Sequence, residues 1–179
     1  MLAFGPNAAR LYTQDAQEAY MKRLIVLAAT HIAALGLGFG LGVYSLPILT
    51  AEDAPEVAVL EQAAKTASYS ATLSRDLRGS DSLHWGEGRI SLSPETISHI
   101  GELAPGPDYK VYLTREFVAD EAEFEAARSE AVRIGEVRSY DGFVLDVPEG
   151  INIEDFTTVV VWCESFGEFI TAAQYRTAG

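Results

Sequence analysis

The sequence predicts a mainly β ectodomain, an antiparallel β-sandwich or barrel-like fold with one inserted short helix, behind a single N-terminal transmembrane helix. Three observations lead to this prediction. Residues 24–49 contain no Asp, Glu, Lys or Arg. From about Tyr69 the apolar residues recur with a period of two, which is typical of strands. Residues 157–161 are all β-branched and lead into Trp162 and Cys163, a pattern that suits a buried central strand.

The charge-free run is longer than the roughly 20 residues that a helix needs to cross a bilayer. Lys22 and Arg23 stand directly before it, and acidic residues follow it. The positive-inside rule therefore predicts a short cytoplasmic or interfacial segment over 1–21, a transmembrane helix over 22–50 and an extracytoplasmic, periplasmic remainder. A cleavable signal peptide is the alternative. The length of the apolar run and the lack of a good Ala-x-Ala site favour an uncleaved signal anchor.

Small residues line one part of this helix. Gly36, Gly38, Gly40 and Gly42 form two overlapping GxxxG pairs, a spacing that permits close packing of membrane helices. The alternative is that glycine is simply frequent in membrane helices. His31 lies in the same run, where an ionisable group usually faces a partner helix or a polar cavity.

The charge of the chain is uneven. Three basic and two acidic residues precede residue 51, whereas 10 basic and 24 acidic residues follow, so the ectodomain carries nearly all of the net charge of −13. Such a surface repels nucleic acid and anionic lipid and favours a basic partner. The simpler interpretation is that the acidity keeps the domain soluble.

Beyond the span, residues 51–68 read as a juxtamembrane linker with a short helix, and residues 69–179 as the β domain. Turn residues at 106–108 separate two strands, and residues 139–142 suggest a hairpin turn between two others. Period-two segments predict strands over 83–92, 96–103, 109–113, 132–137, 143–147, 157–163 and 168–175, and residues 120–130 read as the inserted helix.

The chain has one cysteine, which excludes an internal disulfide, a CxxC pair and a CxxCH haem attachment. There is no HExxH, no Walker loop and no GxSxG, hence no hydrolase, kinase or dehydrogenase signature, and the sequence favours a protein that is not an enzyme. A thiol peroxidase or reductase is the enzyme-class alternative. A lone cysteine on an apolar strand is most often a small buried hydrophobe.

The order of several short motifs resembles a known family. They are Gly106-Pro107-Asp108 leading into Val111-Tyr112-Leu113, then Gly135-Glu136-Val137, Val147-Pro148, and finally Val160-Val161-Trp162-Cys163-Glu164-Ser165-Phe166 with Ala172-Ala173. Together they resemble the electron-transfer DM-thirteen domain over roughly residues 77–175. The phenylalanine of that family's first strand is missing here, and Leu83-His84-Trp85-Gly86 with Gly88 fits its second part loosely.

The resemblance implies an extracytoplasmic β domain with a redox or cofactor-binding cysteine, which is Cys163 here. Candidate companions are Trp162 and the imidazoles of His84 and His99, since a Cys/His pair suits copper, zinc or haem iron. The cofactor is not identified by the sequence; haem or a metal ion is the candidate.

Two hypotheses follow. The first is a membrane-anchored electron-transfer or redox-cofactor-binding domain centred on Cys163. The second is a non-catalytic interaction module or accessory subunit of a larger membrane complex. Both predict a single-pass membrane protein whose partner is another membrane protein or a redox protein, and neither involves nucleic acid.

Overall fold

The computed structural model describes the backbone of residues 6–177 and the side chains of residues 16–177. The first five residues of the predicted segment 1–21 lie outside the described residues. The chain forms two compact units, one ending at Val43 and the other beginning at Tyr44.

Helix α1 runs from Pro6 to Thr50 without interruption. Its part Ala16–Thr50 is long and apolar enough to cross a membrane. No break separates the predicted segment 1–21 from the predicted span 22–50, because the Ala-, Gln- and Glu-rich residues before Lys22 are themselves good helix formers. Large apolar side chains on this helix are exposed, Leu35 at 73% and Leu37 at 70%.

The second unit carries the β domain and two short helices. The helices are α2 (Val57–Lys65) and α3 (Glu121–Ala127), with a 3₁₀ turn at Ile153–Asp155. The strands are β1 (Tyr69–Leu73), β2 (Gly86–Leu92), β3 (Thr96–Leu103), β4 (Tyr109–Thr114), β5 (Val132–Glu136), β6 (Phe143–Asp146), β7 (Thr158–Cys163) and β8 (Glu168–Gln174).

These strands form two four-stranded antiparallel sheets, with the orders β1-β2-β3-β6 and β5-β4-β7-β8. The sheets pack face to face, β8 against β1 and β2, and β5 against β6. The predicted mainly β fold is therefore confirmed as a sandwich. Strand β7 is central in its sheet, and all six of its residues are buried.

The predicted hairpin between β5 and β6 is wrong. Strand β5 pairs with β4, whereas β6 pairs with β3, so the chain crosses from one sheet to the other between them. Long-range hydrogen bonds of Tyr140 fix the loop between β5 and β6 in this crossing. The N–H of Leu103 donates to the carbonyl of Tyr140 at 2.8 Å, and the hydroxyl of Tyr140 donates to the carbonyl of Gly106 at 2.6 Å.

The apolar residues form two clusters. The larger lies between the sheets and takes Val159, Val161 and Cys163 from one face of β7. The smaller lies on the outer face of the second sheet, under α3, and takes Val160 and Trp162 from the other face. The alternation expected of a strand therefore places Trp162 and Cys163 on opposite faces of one sheet.

Helix α3 covers the smaller cluster. Its N-cap is Asp120, whose carboxylate accepts a hydrogen bond from the N–H of Glu123 at 2.9 Å. Capping of this kind satisfies one of the free donors of the first helical turn. Phe124 on the buried face of the helix is fully enclosed, so the cap fixes the helix that shields Trp162.

Candidate functional site

Cys163 is the last residue of β7, and its side chain points between the two sheets. It is free and only 3% exposed. Its partner across the sheet is Tyr109, the first residue of β4. The only thiol of the chain therefore lies at one end of the inter-sheet core, beside an aromatic ring.

Two loops close this end of the sandwich over the sulfur. The turn 164–167 returns to β7, where the N–H of Gly167 donates to the carbonyl of Cys163 at 2.9 Å. The N–H of Glu164 donates to the carbonyl of Asp108 at 3.0 Å, and the hydroxyl of Ser165 to its carboxylate at 3.1 Å. These bonds join the β7–β8 turn to the Gly-Pro-Asp turn before β4.

Burial raises the pKa of the Cys163 thiol above its ordinary value of 9.0. The backbone N–H groups of Phe166, Asp108 and Ser165 act in the opposite direction, because they favour the anionic thiolate, while the Asp108 carboxylate adds to the rise. Because burial is the largest of these causes, the protonated thiol is favoured inside the loops that enclose it.

Two tyrosines that the sequence analysis did not single out complete the site. The rings of Tyr109 and Tyr140 meet edge to face, with centroids 5.9 Å apart. Burial, and next the nearby sulfur of Cys163, raise the pKa of Tyr109. A Cβ atom at Gly106 would overlap the ring of Tyr109, so the Gly-Pro-Asp turn needs glycine for this packing. The only sequence signal was the position of Tyr109 directly after that turn.

On the other face of the sheet, Trp162 packs against Phe124 with ring centroids 4.6 Å apart. Its side chain is fully buried, and its Nε1–H has no hydrogen-bond partner among the side chains and backbone that the structure describes. The Arg128 guanidinium lies 5.7 Å from the centroid of its ring. Trp162 therefore adjoins Cys163 along the chain but packs in the other apolar cluster.

Tyr112 lies near Trp162 on this outer face, and its ring meets Phe124 with centroids 5.3 Å apart. Its hydroxyl donates to the carboxylate of Glu164, which also accepts from Arg128 at 2.6 Å. Burial, followed by the hydrogen bond to Glu164, raises the pKa of Tyr112 to about 12. A phenol, a carboxylate and a guanidinium thus lie in line beside the end of β7.

A family model described as Electron transfer DM13 matches residues 72–175. This match covers more than half of the chain. The chain belongs to the DM13 family. No curated protein and no solved structure matches it. Membership assigns an electron-transfer-related role to the β domain.

The two histidines of the β domain in this DM13 protein, His84 and His99, make hydrogen bonds to residues other than Cys163. His84, on the loop before β2, pairs through Nδ1 with the Asp81 carboxylate at 3.1 Å. His99 on β3 is fully buried, and its Nε2 donates to the carbonyl of Glu87 at 2.9 Å. Burial lowers the pKa of His99 below its ordinary 6.5, and its Nδ1 has no hydrogen-bond partner in the described part of the chain. No hydrogen bond joins either imidazole to Cys163 within residues 16–177.

The described side chains of the DM13 domain do not fit the metal ion that the sequence suggested. Among them, no three His, Cys, Asp or Glu side chains are grouped closely enough to hold one. A haem fits no better, since the one soft ligand, Cys163, is 3% exposed and packs in the core. The chemistry that the described residues support is that of the sulfur and the nearby aromatic rings.

In the helical unit, the glycine positions of the predicted packing face are open. A Cβ atom at Gly36, Gly38, Gly40 or Gly42 would have no atom within 4 Å apart from its own helix. His31 remains on its own helix, where Nδ1 contacts the carbonyl of Leu27 at 2.7 Å. No described residue outside the helix lies against the small-residue positions.

Proposed function

We propose that this DM13 protein is a membrane-anchored electron-transfer domain whose redox centre is the sulfur of Cys163. The observation that carries the proposal is the enclosure of the only thiol, under two joined loops, against Tyr109 and beside Tyr140. The bonds from Glu164 and Ser165 to Asp108 tie the two loops together, so the cover over the sulfur is a fixed part of the fold.

In the proposed reaction, the thiol of Cys163 loses one electron to a one-electron acceptor and its proton to water, and a thiyl radical remains. The closed loops keep other thiols away, so the radical cannot couple into a disulfide. The rings of Tyr109 and Tyr140 provide polarizable contacts around the sulfur.

The burial of the sulfur favours electron transfer over thiol enzymology. Peroxidases and disulfide reductases need an accessible sulfur with a low pKa, because the substrate must reach the thiolate. Cys163 is 3% exposed, and burial raises its pKa. An electron can cross a thin protein layer, whereas a peroxide or disulfide substrate must touch the sulfur.

The anchoring part of the proposal concerns helix α1. We infer that residues 22–50 span the bilayer as an uncleaved signal anchor, with residues 1–21 cytoplasmic, 51–68 as linker and 69–179 extracytoplasmic. The charge-free run after Lys22 and Arg23 supports this orientation. The acidic ectodomain favours a basic redox partner, and Gly36, with the glycines after it, offers a surface for another membrane helix.

The alternative function is a non-catalytic module or accessory subunit of a larger membrane complex. The observation in its favour is the same burial of Cys163, which a purely structural cysteine would also show. The two functions differ in one property. Removing the sulfur abolishes electron transfer in the first case and changes only stability in the second.

The test is flash oxidation of the full chain in detergent by photogenerated tris(bipyridine)ruthenium(III), a cationic one-electron oxidant that suits an acidic domain. We expect the wild type to consume the oxidant in a fast phase that is missing in Cys163→Ser. His84→Ala, which removes an imidazole not bonded to the sulfur, keeps the fast phase. Equal kinetics in the wild type and Cys163→Ser would leave only the accessory module.

A further inference from the structure

We propose that Tyr112 is a second redox residue of this domain, which passes one electron to the oxidised sulfur of Cys163 and its phenol proton to Glu164. The inference rests on the electron-transfer role proposed above and adds a second site, on the opposite face of the same sheet. It starts from the hydrogen bond that joins the Tyr112 hydroxyl to the Glu164 carboxylate.

A tyrosine gives up an electron readily only when its proton leaves at the same time, because the phenol becomes a strong acid on oxidation. The Tyr112 phenol already donates to the Glu164 carboxylate, so the proton needs to move only along an existing hydrogen bond. Arg128 holds that carboxylate from its other oxygen at 2.6 Å. The Glu164 carboxylate is therefore oriented by both contacts before the reaction begins.

Aromatic rings connect Tyr112 to the end of β7. The Tyr112 ring contacts Phe124, which contacts Trp162, with centroid separations of 5.3 and 4.6 Å. Trp162 directly precedes Cys163 on the strand. Its buried Nε1–H lacks a partner among the described residues, and an unsatisfied buried donor has a free-energy cost that a phenylalanine would avoid. An indole kept at that cost is consistent with a role in the electron path.

The step balances in atoms and electrons. The reactants are the Cys163 thiyl radical, the Tyr112 phenol and the Glu164 carboxylate; the products are the Cys163 thiolate, the Tyr112 phenoxyl radical and the Glu164 carboxylic acid. The O–H bond of Tyr112 breaks, an O–H bond forms on Glu164, and one electron moves to the sulfur. The oxidant that first forms the thiyl radical is the one-electron acceptor of the proposed function.

The chain supplies a matched control for this geometry. The hydroxyl of Tyr69 also donates to a carboxylate, that of Glu154, at 2.6 Å. Tyr69 packs against Tyr175, which directly follows β8. That end of β8 pairs with Thr158, and Thr158 and Cys163 are the two ends of β7. Tyr69 therefore shares the hydrogen-bond chemistry of Tyr112 but not its connection to the sulfur.

The experiment is flash oxidation of the full chain in detergent by photogenerated tris(bipyridine)ruthenium(III), with rapid freezing and electron paramagnetic resonance. We expect a tyrosyl signal in the wild type and in Tyr69→Phe, and its loss in Tyr112→Phe, which keeps the ring that packs on Phe124. Glu164→Gln should slow formation of the signal about 100-fold, the lower end of what a positioned base contributes. Circular dichroism checks that each variant is folded.

Cys163→Ser separates the two proposals. If the Cys163 thiyl radical oxidises Tyr112, the Tyr112 radical signal falls in this variant. A full tyrosyl signal in Tyr112→Phe or in Cys163→Ser would overturn the inference, and so would formation of the signal at the wild-type rate in Glu164→Gln. None of these results affects the sulfur-dependent fast phase of oxidant consumption, which tests the proposed function. The proposed function would instead be overturned if wild type and Cys163→Ser consumed the oxidant with the same kinetics.

Discussion

Tyr109 and Cys163 lie directly opposite each other on β4 and β7, and Gly106 leaves the space that the Tyr109 ring occupies. The position of the Tyr109 ring beside the sulfur thus depends on the lack of a side chain at Gly106. The Gly-Pro-Asp turn, the tyrosine and the cysteine act as one packed group, and a change at the turn should affect the thiol.

Gly106→Ala should destabilise the domain and loosen the enclosure of Cys163. Its Cβ would overlap the ring of Tyr109, and overpacking of this kind costs about 1–3 kcal/mol. Chemical denaturation followed by circular dichroism measures the loss. Gly135→Ala is the control, because its Cβ would meet only the flexible end of Leu145 at 3.3 Å. Equal stability of the two variants would contradict the packing described here.

The thiol of Cys163 should react slowly with iodoacetamide in the native protein at pH 8 and rapidly after unfolding. Burial limits access and raises the pKa of the thiol above 9.0, so little thiolate is present. Mass spectrometry of the alkylated chain gives both rates. Rapid labelling of the native fold would favour the thiol-enzyme alternative instead.

His99 should make the domain sensitive to acid. Its pKa is lowered in the folded state, so the unfolded chain binds a proton first as the pH falls below 6.5. Stability is then present above pH 6.5 and declines below it, towards the lower folded-state pKa, with a limiting slope of about 1.4 kcal/mol per pH unit. Denaturation between pH 7 and 5 measures the slope.

Replacing His99 by Gln should remove this component of the pH dependence, whatever it does to the stability at neutral pH. His84→Gln keeps the buried imidazole and should retain the decline. An acid-induced loss of the same slope in His99→Gln would show that other groups cause it.

Leu37→Arg should impair membrane insertion of α1. An arginine near the centre of a membrane helix costs about 2.5–3.5 kcal/mol for insertion. Fractionation of cells that express the full chain measures the share found in the membrane. Leu83→Arg, a change at an exposed position of the β domain, should leave that share unaltered. Equal fractionation of both variants would contradict a membrane-spanning α1.

Much of the fold could be predicted because it depends on local patterns. The alternation in β7 correctly separated Cys163 from Trp162, since side chains in a strand must point to opposite faces. The pairing of β5 could not be predicted in the same way. A turn-like sequence at 139–142 is compatible with a hairpin and with a crossing between sheets, and long-range bonds to Leu103 and Gly106 decide between them.

The candidate site was predictable only in part. The resemblance pointed to Cys163, but periodicity cannot show that Tyr140, from a loop, packs beside Tyr109. The bond between Tyr112 and Glu164 joins residues 52 positions apart and likewise leaves no trace in local sequence. Whether Cys163, Trp162 and His84 act in redox chemistry stays a prediction.

The most direct measurement for the central claim is voltammetry of the full chain in a lipid film on an electrode. We expect a one-electron wave in the wild type that persists in His84→Ala and vanishes in Cys163→Ser. A wave of the same height in Cys163→Ser, or none in the wild type, would contradict the assignment of the sulfur as the redox centre.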